Sequence, residues 1–256
     1  MMSGCRASTP TAGRSAREAR AALRLDPAAP LACLLTAVEQ RARLPVIVAR
    51  LPAEVAGACW REGHATVLWV NGAQPAVRQR FTLAHELGHA WCGHDGRLEV
   101  DSIQTLGGVT TNPLEIQANA FAAELLLPKA AVRGPFDHQP GLDEVVALAA
   151  RYGVSALVAL FRLSTARVVS DERARRLREE IDAGEHADAS GRLGLEPLDD
   201  RLGTIATLPY RSPALDGSAL AAALDGQVTV AVAAHSAGVA TERLAPALEA
   251  IVAGVP

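Results

Sequence analysis

Apolar and polar positions follow two different periods along this 256-residue chain. Between residues 76 and 92 the apolar positions recur about every 3.6 residues, which predicts one amphipathic helix. Pro113 suits the first turn of a second helix, which Pro128 ends. Two shorter runs are rich in β-branched residues and are bounded by Pro, Gly or Asn, and we predict strands there: residues 44–52 and 65–72.

The sequence pattern of the N-terminal part predicts a tail followed by two helices. Residues 1–14 are small and polar without any period, as in a disordered tail. Ser15 and Glu18 have the spacing of a capping box, which predicts that a helix opens at Ser15. A second helix is indicated by apolar residues at helical spacing: Leu31, Leu34, Leu35 and Val38.

The C-terminal half predicts mostly helices. Residues 142–164 favour two helices joined by a tight turn at Gly153, with Ser155 capping the second helix. A charged helix and a linker rich in Gly, Asp and Ser follow, at 171–182 and 183–199. Beyond the linker the pattern predicts one strand and one helix: residues 227–235 and 242–253.

Composition and charge exclude several classes of protein. With 49% hydrophobic residues, 21% charged residues and a formal net charge of −3, the chain has an ordinary core and no field that would gather nucleic acid or an anionic membrane. Its 4 cysteines lie far apart and form no C-x-x-C pair, which favours a reducing compartment. No apolar run is long enough to span a bilayer, so we expect a cytoplasmic protein.

The segment HELGH, inside the first predicted amphipathic helix, has the spacing of a metal site. His85 and His89 are four residues apart and therefore share one helical face, so both imidazoles can reach one ion. Glu86 would lie beside that ion and take a proton from water. Gly88 offers no side chain to block the approach.

A third ligand is expected from the next helix. Glu115 is our candidate, because Asn119 lies on the same face and can orient a ligating histidine through its amide. Glu124 lies about half a turn round the helix from that face, which excludes it. Spacing leaves four other candidates open: Glu99, Asp101, His94 and His138.

The two segments together resemble the ImmA/IrrE family of metallopeptidases, intracellular zinc proteins associated with control of phage-type and stress-response repressors. The residues that carry the resemblance are RFTLAHELGH at 80–89 and EIQANAFAAELLLP at 115–128, within a match over about 25–164. The resemblance implies a zinc ion, with manganese as the alternative. It also implies His85, His89 and Glu115 as ligands and Glu86 as the general base, in agreement with the spacing.

These roles predict peptide hydrolysis without a covalent intermediate. An oxyanion donor is also needed, and the candidates are His94, His138, Tyr152 and Arg80, although a structural role is expected for each. Cys92 lies on the helical face of His85 and His89, so its thiol is a hypothetical neighbour or redox brake of the metal; a small buried cysteine is the simpler interpretation.

We therefore expect an α+β fold in three parts after the tail. Residues 15–139 would form a mostly helical zincin-like metallopeptidase domain with a small β-sheet. Residues 140–182 would form a helix-turn-helix-like unit, and residues 200–256, beyond the linker, a small α/β segment of unknown role.

The second helix of the helix-turn-helix-like unit decides what kind of partner to expect. Residues 156–161 are almost wholly apolar and carry no side chain suited to reading base edges, so we expect packing or substrate docking and no direct DNA binding. The expected partner is a protein substrate, a helix-turn-helix repressor that the peptidase cleaves. The alternatives are an antirepressor-like binding module with a structural zinc and a housekeeping peptidase of broad specificity.

Overall fold

A computed structural model describes residues 12–62, 65–94, 99–102, 110–134, 136–195 and 210–237, together with 241 and 245. The fold is mixed α+β, as predicted: helices pack on a five-stranded sheet.

The sheet has the strand order β4-β2-β3-β1-β5. β1 and β3 pair in parallel, and the other neighbouring strands pair antiparallel. The strands are β1 (Val46–Ala49), β2 (Val55–Glu62), β3 (Ala65–Asn71), β4 (Glu99–Ser102) and β5 (Tyr210–Arg211). β1 and β3 confirm the two predicted N-terminal strands. β2 was not predicted, because its sequence VAGACWRE mixes small and charged residues and contains one β-branched residue.

The described part of the peptidase region contains five helices: α1 (Ala12–Ala22), α2 (Leu34–Thr36, continued by a π-helical turn over Ala37–Ala42), α3 (Ala76–Cys92), α4 (Pro113–Leu126) and α5 (Lys129–Val132). Of these, α3 and α4 agree with their predicted bounds. α4 has Pro at its first position, and the Asn112 side chain accepts a hydrogen bond from the Leu114 N–H at 3.0 Å. Cap and proline together fix where α4 starts.

The later helices are α6 (Leu142–Tyr152), α7 (Ala156–Thr165), α8 (Asp171–Asp182) and α9 (Glu185–Arg192), then a 3-10 turn (Pro213–Leu215), α10 (Ala219–Leu224) and α11 (Val230–Ala237). The predicted turn between α6 and α7 is confirmed. Gly153 has a positive φ of 61°, and the Ser155 hydroxyl accepts from the Val158 N–H at 3.2 Å.

Each face of the sheet packs against its own helices. One face contributes Val46, Cys59, Leu68 and Val70 to a core shared with α1–α9. The opposite face contributes Ile47, Trp60, Val67 and Trp69 to a second core closed by α10 and α11. Packing is therefore continuous across the predicted boundary at 139/140. β5 lies at one edge of the sheet, and α10 and α11 cover the second face.

No single helix among the described residues combines the length and the apolar composition needed to cross a membrane. The pair α6 and α7 meets both criteria only when its two helices are taken together, and it is bent by 106°.

The predicted start of the first helix is wrong. α1 begins at Ala12, so Ser15 lies inside the helix, where it is buried and cannot act as an N-cap. Ala16 and Ala19 are also fully buried in the core, and this packing of small residues extends the helix into the predicted tail. Residues 1–11 of that tail lie outside the described part of the chain.

The predicted linker contains α9, so the expectation of irregular structure is wrong for residues 185–192. Gly184, with φ of 87°, turns the chain back after α8, and Ala189 and Ser190 are buried against the neighbouring helices. An ion pair of 2.5 Å between Arg192 Nη2 and Asp143 Oδ1 joins α9 to α6.

The predicted strand at 227–235 is also wrong, because α11 occupies most of it. The Thr229 hydroxyl accepts from the Val232 N–H at 3.4 Å at the start of the helix. Ala233 and Ala234 are fully buried, and such small side chains let a helix lie close to the sheet. The predicted helix at 242–253 lies outside the described residues apart from residue 245.

Candidate metal centre

The HELGH segment lies in the buried middle of α3, where α4 packs closely against it. A Cβ at Gly88 would lie 3.0 Å from Phe121 Cδ1 and 3.4 Å from Ala118 Cα, both on α4. Gly88 therefore brings the two helices together. Helix packing is thus a role of Gly88 besides the expected one, that no side chain blocks the approach to the ion, and the latter stays a prediction.

The three predicted ligands converge. The distance between His85 Nε2 and His89 Nε2 is 2.9 Å, and Glu115 places its Oε2 3.1 Å from the first nitrogen and its Oε1 3.5 Å from the second. All three residues are buried. Ligand atoms about 2.0–2.1 Å from a tetrahedral zinc ion lie roughly 3.3 Å from one another, so this donor set fits one such ion.

Asn119 occupies the predicted supporting position. Its Oδ1 lies 3.0 Å from His85 Nδ1. If that nitrogen carries the proton and donates it to the amide oxygen, Nε2 keeps its lone pair for a metal. Glu115 and Asn119, four residues apart on α4, thus lie where the spacing predicted a ligand and its support.

His94 lies behind His89. Its Nδ1 is 2.9 Å from His89 Nδ1, and its Nε2 is 3.2 Å from Gln117 Oε1. Burial lowers the pKa of the His94 imidazole, against an opposing effect of the Gln117 hydrogen bond, and so favours the neutral ring. His94 is a sequence candidate for a ligand or an oxyanion donor, but it lies outside the metal-ligand group of the described residues and faces the nitrogen of His89 that points away from the donor set.

Glu86 is completely buried where α3 lies against β2. A Cβ at Gly57 of β2 would lie 2.7 Å from Glu86 Oε1 and 2.7 Å from the Trp69 carbonyl oxygen. Gly57 therefore provides the space for the Glu86 carboxylate. Sequence reasoning missed this glycine because it did not predict β2, although a lone glycine between apolar residues is a known sign of close approach in a strand.

Three of the other candidate residues form hydrogen bonds or ion pairs away from the candidate metal centre. The Tyr152 hydroxyl donates to the Ala28 carbonyl oxygen at 2.9 Å, and Arg80 Nη2 donates to the Leu31 carbonyl oxygen at 2.5 Å. His138 lies on the surface, paired with two carboxylates: Asp137 at 2.7 Å and Glu144 at 3.2 Å. None of the three belongs to the metal-ligand group formed by the described residues.

The acidic residues weighed as metal ligands beside Glu115 are Glu124, Glu99 and Asp101. Glu124 lies away from the metal group, and its Oε2 forms a buried ion pair of 2.8 Å with Arg162 Nη1 of α7. The exclusion of Glu124 as a ligand is thus in accord with the structure. Glu99 and Asp101 belong to β4, and their side chains lie outside the described part.

Cys92 is half-buried at the end of α3. Burial raises the pKa of its thiol, opposed by a hydrogen bond with Ser15 of α1. Cys92 is absent from the metal-ligand group of the described residues, so the structure favours the simpler interpretation of a packed cysteine.

Two histidines on a buried helix, a glutamate from the next helix and an acid between the histidines define an HExxH metallopeptidase-type domain. Known proteins agree with this class. The peptidase M78 profile, described as the IrrE N-terminal-like domain, matches residues 45–164, so this region of the chain is similar to that family.

One similar protein is the radiation response metalloprotease IrrE of Deinococcus radiodurans. It is 34% identical over 111 residues, which are 41% of this chain and 34% of that protein. The match therefore spans about a third of the relative's length. The HELGH segment and Glu115 both lie within the family match.

Proposed function

We propose that this protein is a zinc-dependent endopeptidase, with manganese as the alternative metal. One observation carries the proposal: Glu86 is buried on α3 between two histidines whose Nε2 atoms lie 2.9 Å apart and meet the Glu115 carboxylate. A purely structural site would need the ligands but would not need an acid beside them.

His85, His89 and Glu115 would hold the ion, and Asn119 and His94 would orient the two imidazoles. When bound, the ion supplies Lewis acidity, which polarises the peptide carbonyl and acidifies water. Glu86 accepts a proton from the attacking water and returns it to the leaving amine. No side chain forms a covalent bond to the substrate.

The proposed substrate is a transcriptional repressor cut at one or a few sites in the cytoplasm. The family resemblance supports this choice, because its members are associated with repressor control. The name of the Deinococcus relative links that protein to a radiation response. Regulation of transcription under stress is the corresponding proposed role of this chain.

The decisive variant is Glu86→Gln, which keeps the shape of the side chain and removes the base. We expect it to retain one equivalent of zinc by elemental analysis and to lose cleavage of the repressor encoded beside its gene, seen as discrete fragments on a gel. The zinc-loaded wild-type protein and the same protein with a chelator are the controls.

Full cleavage by Glu86→Gln would refute the mechanism. If Glu86→Gln instead kept the regulatory activity of the protein without any cleavage, and chelation unfolded the protein, the antirepressor-like module would be the correct interpretation.

A further inference from the structure

A groove runs along α7 on the outside of the metal centre. Its cavity of about 490 Å³ is bounded by the start of α3, by α4 and by α7, and we call it the α7 groove. Two large apolar side chains one helical turn apart line it while exposed to solvent: Leu157 is 36% exposed and Phe161 48% exposed. Phe81 and Val158 extend the apolar lining. Exposed apolar side chains grouped in one concavity are typical of binding surfaces.

The charged residues that line the groove are both basic: Arg78 and Arg178. No acid belongs to the described lining. Arg178 pairs with Asp182 at 2.8 Å, but both side chains are more than half exposed, so this pair is weak and can exchange partners. The positive lining contrasts with the net charge of −3 of the whole chain.

The basic character continues on the other side of Phe161. A second cavity of about 1020 Å³ is lined there by Arg17, Lys129 and Arg133. Its one acid among the described residues, Glu124, pairs with the buried Arg162 at 2.8 Å and with Arg17 at 3.7 Å. An occupant with apolar anchors and flanking acidic groups would match the whole face.

The α7 groove is also connected to the metal centre. Asn119 lines the groove, and its Oδ1 lies 3.0 Å from His85 Nδ1. A segment bound in the groove would therefore lie directly behind a proposed ligand of the metal.

We infer that the α7 groove docks an acidic segment of the protein substrate, which places two apolar side chains beside Leu157 and Phe161 and carboxylates beside Arg78 and Arg178. This inference rests on the proposed function, because it assigns the segment to the substrate. Docking outside the metal centre would let a peptidase choose one protein without demanding a long recognition sequence at the scissile bond.

Double-stranded DNA is the competing occupant of a basic face. The exposed pair Leu157 and Phe161 argues against it, since apolar side chains in a concavity cannot contact phosphates. Arg162, the one arginine within α7, is buried with Glu124 and is not presented to a partner.

The test selects peptides from a displayed library of random 12-residue sequences, using the zinc-loaded Glu86→Gln full chain as bait. We expect enriched sequences to carry Asp or Glu around an apolar pair. In fluorescence anisotropy, Phe161→Ser and Arg78→Glu should each weaken binding of a selected peptide at least tenfold. Exposed residues elsewhere provide matched controls, Leu193→Ser and Arg151→Glu, which should leave binding unchanged.

Enrichment without the acidic and apolar pattern, or binding that survives both groove substitutions, would overturn the inference. Saturable binding of a 20-base-pair duplex at physiological salt that the same substitutions abolish would assign the face to DNA instead. A dimer in sedimentation that Phe161→Ser dissociates would assign it to a second copy. If Phe161→Ser does not fold, Arg78→Glu decides alone.

Binding is read without cleavage, so the inference and the proposed function can fail separately. Peptide capture with no proteolysis by the wild-type protein would leave the groove in place and remove the enzyme. Proteolysis by the wild-type protein with no peptide capture would keep the enzyme and remove the groove as a docking site.

Discussion

The two ring nitrogens of His89 face different neighbours, and these neighbours determine which nitrogen carries the proton. Nε2 faces His85 and Glu115, and Nδ1 faces His94. A nitrogen that binds a metal has no proton, so the other nitrogen of a neutral ring must donate. His89 would then donate to His94 Nδ1, and His94 Nε2 would donate to Gln117 Oε1. This one arrangement of protons gives each hydrogen bond from His89 through His94 to Gln117 a donor and an acceptor.

Replacing His94 by Ala should weaken zinc binding by about 10–100-fold, the usual effect of losing such an outer partner of a ligating histidine. Competition against a chromophoric chelator measures the affinity directly. His138→Ala is the matched control, because His138 is an exposed histidine away from the metal group. Equal affinities of the wild-type protein and His94→Ala would show that His94 does not hold His89 in place.

Replacing Gly57 by Ala should destabilise the fold by about 1–3 kcal/mol, the usual cost of overpacking a close contact. The added methyl group would overlap with Thr82 Cγ2 and lie 2.7 Å from both Glu86 Oε1 and the Trp69 carbonyl oxygen, so β2 must shift relative to both α3 and β3. Urea unfolding measures the loss. Gly13→Ala in α1 is the control, since its Cβ would meet only an arginine tip at 3.4 Å. Similar stability of the two variants would contradict the assigned role of Gly57.

Residue-level prediction succeeded where the period of one helix fixes the answer. His85 with His89, and Glu115 with Asn119, are four apart on α3 and α4, so each pair had to share a face. Gly57 could not be found in that way, because its contact with Glu86 joins residues on separate elements.

At the scale of elements, α4 carries functional or structural side chains on two opposite sides. One side carries Glu115 and Asn119 to α3, and the other carries Glu124 to Arg162 of α7. The ion pair of 2.8 Å between Glu124 and Arg162 is almost wholly buried, and the Glu124 carboxylate also accepts from the Lys129 N–H at 3.3 Å. This pair ties α7 to the helix that carries the proposed third ligand.

Replacing Arg162 by Met should destabilise the fold by about 3–5 kcal/mol, because the buried Glu124 carboxylate loses its near counter-ion at 2.8 Å and keeps only the exposed Arg17 at 3.7 Å. Chemical unfolding measures the change. Arg178→Met removes an arginine from an exposed pair and should cost less than about 1 kcal/mol. The double variant Arg162→Met with Glu124→Gln should recover part of the loss, since no unpaired charge remains. Equal losses from Arg162→Met and Arg178→Met would rule out a structural role for the buried pair.

Elements were predictable where one face dominates the pattern, as in α3, α4, α6 and α7. The run at 227–235 misled because alternating valines suit a strand, while its alanines suit a helix against the sheet. α9 was missed because its sequence EHADASGR offers few apolar residues; burial of Ala189 against its neighbours supplies what the pattern lacks.

At the scale of the whole molecule, the candidate metal centre lies between two helices of the larger core, α3 and α4. α3 packs on β2 and β3, and α4 packs on α3 and α1, so an ion held by His85, His89 and Glu115 would fasten one helix to the other inside the larger core. Any ligand that binds the folded chain and not the unfolded chain stabilises folding in proportion to the logarithm of its concentration.

Removal of the metal should therefore lower the melting temperature. At free zinc one hundred times the dissociation constant, binding contributes about 2.7 kcal/mol. For a chain of this size that is roughly 5–10 °C. Scanning calorimetry before and after EDTA, and again after zinc is restored, measures the shift. Glu115→Gln is the internal control: weakened binding should reduce the EDTA shift, while the variant still unfolds in one cooperative step. A shift of the same size in Glu115→Gln would place the ion elsewhere, and no shift in the wild-type protein would mean that the two helices hold their geometry without it.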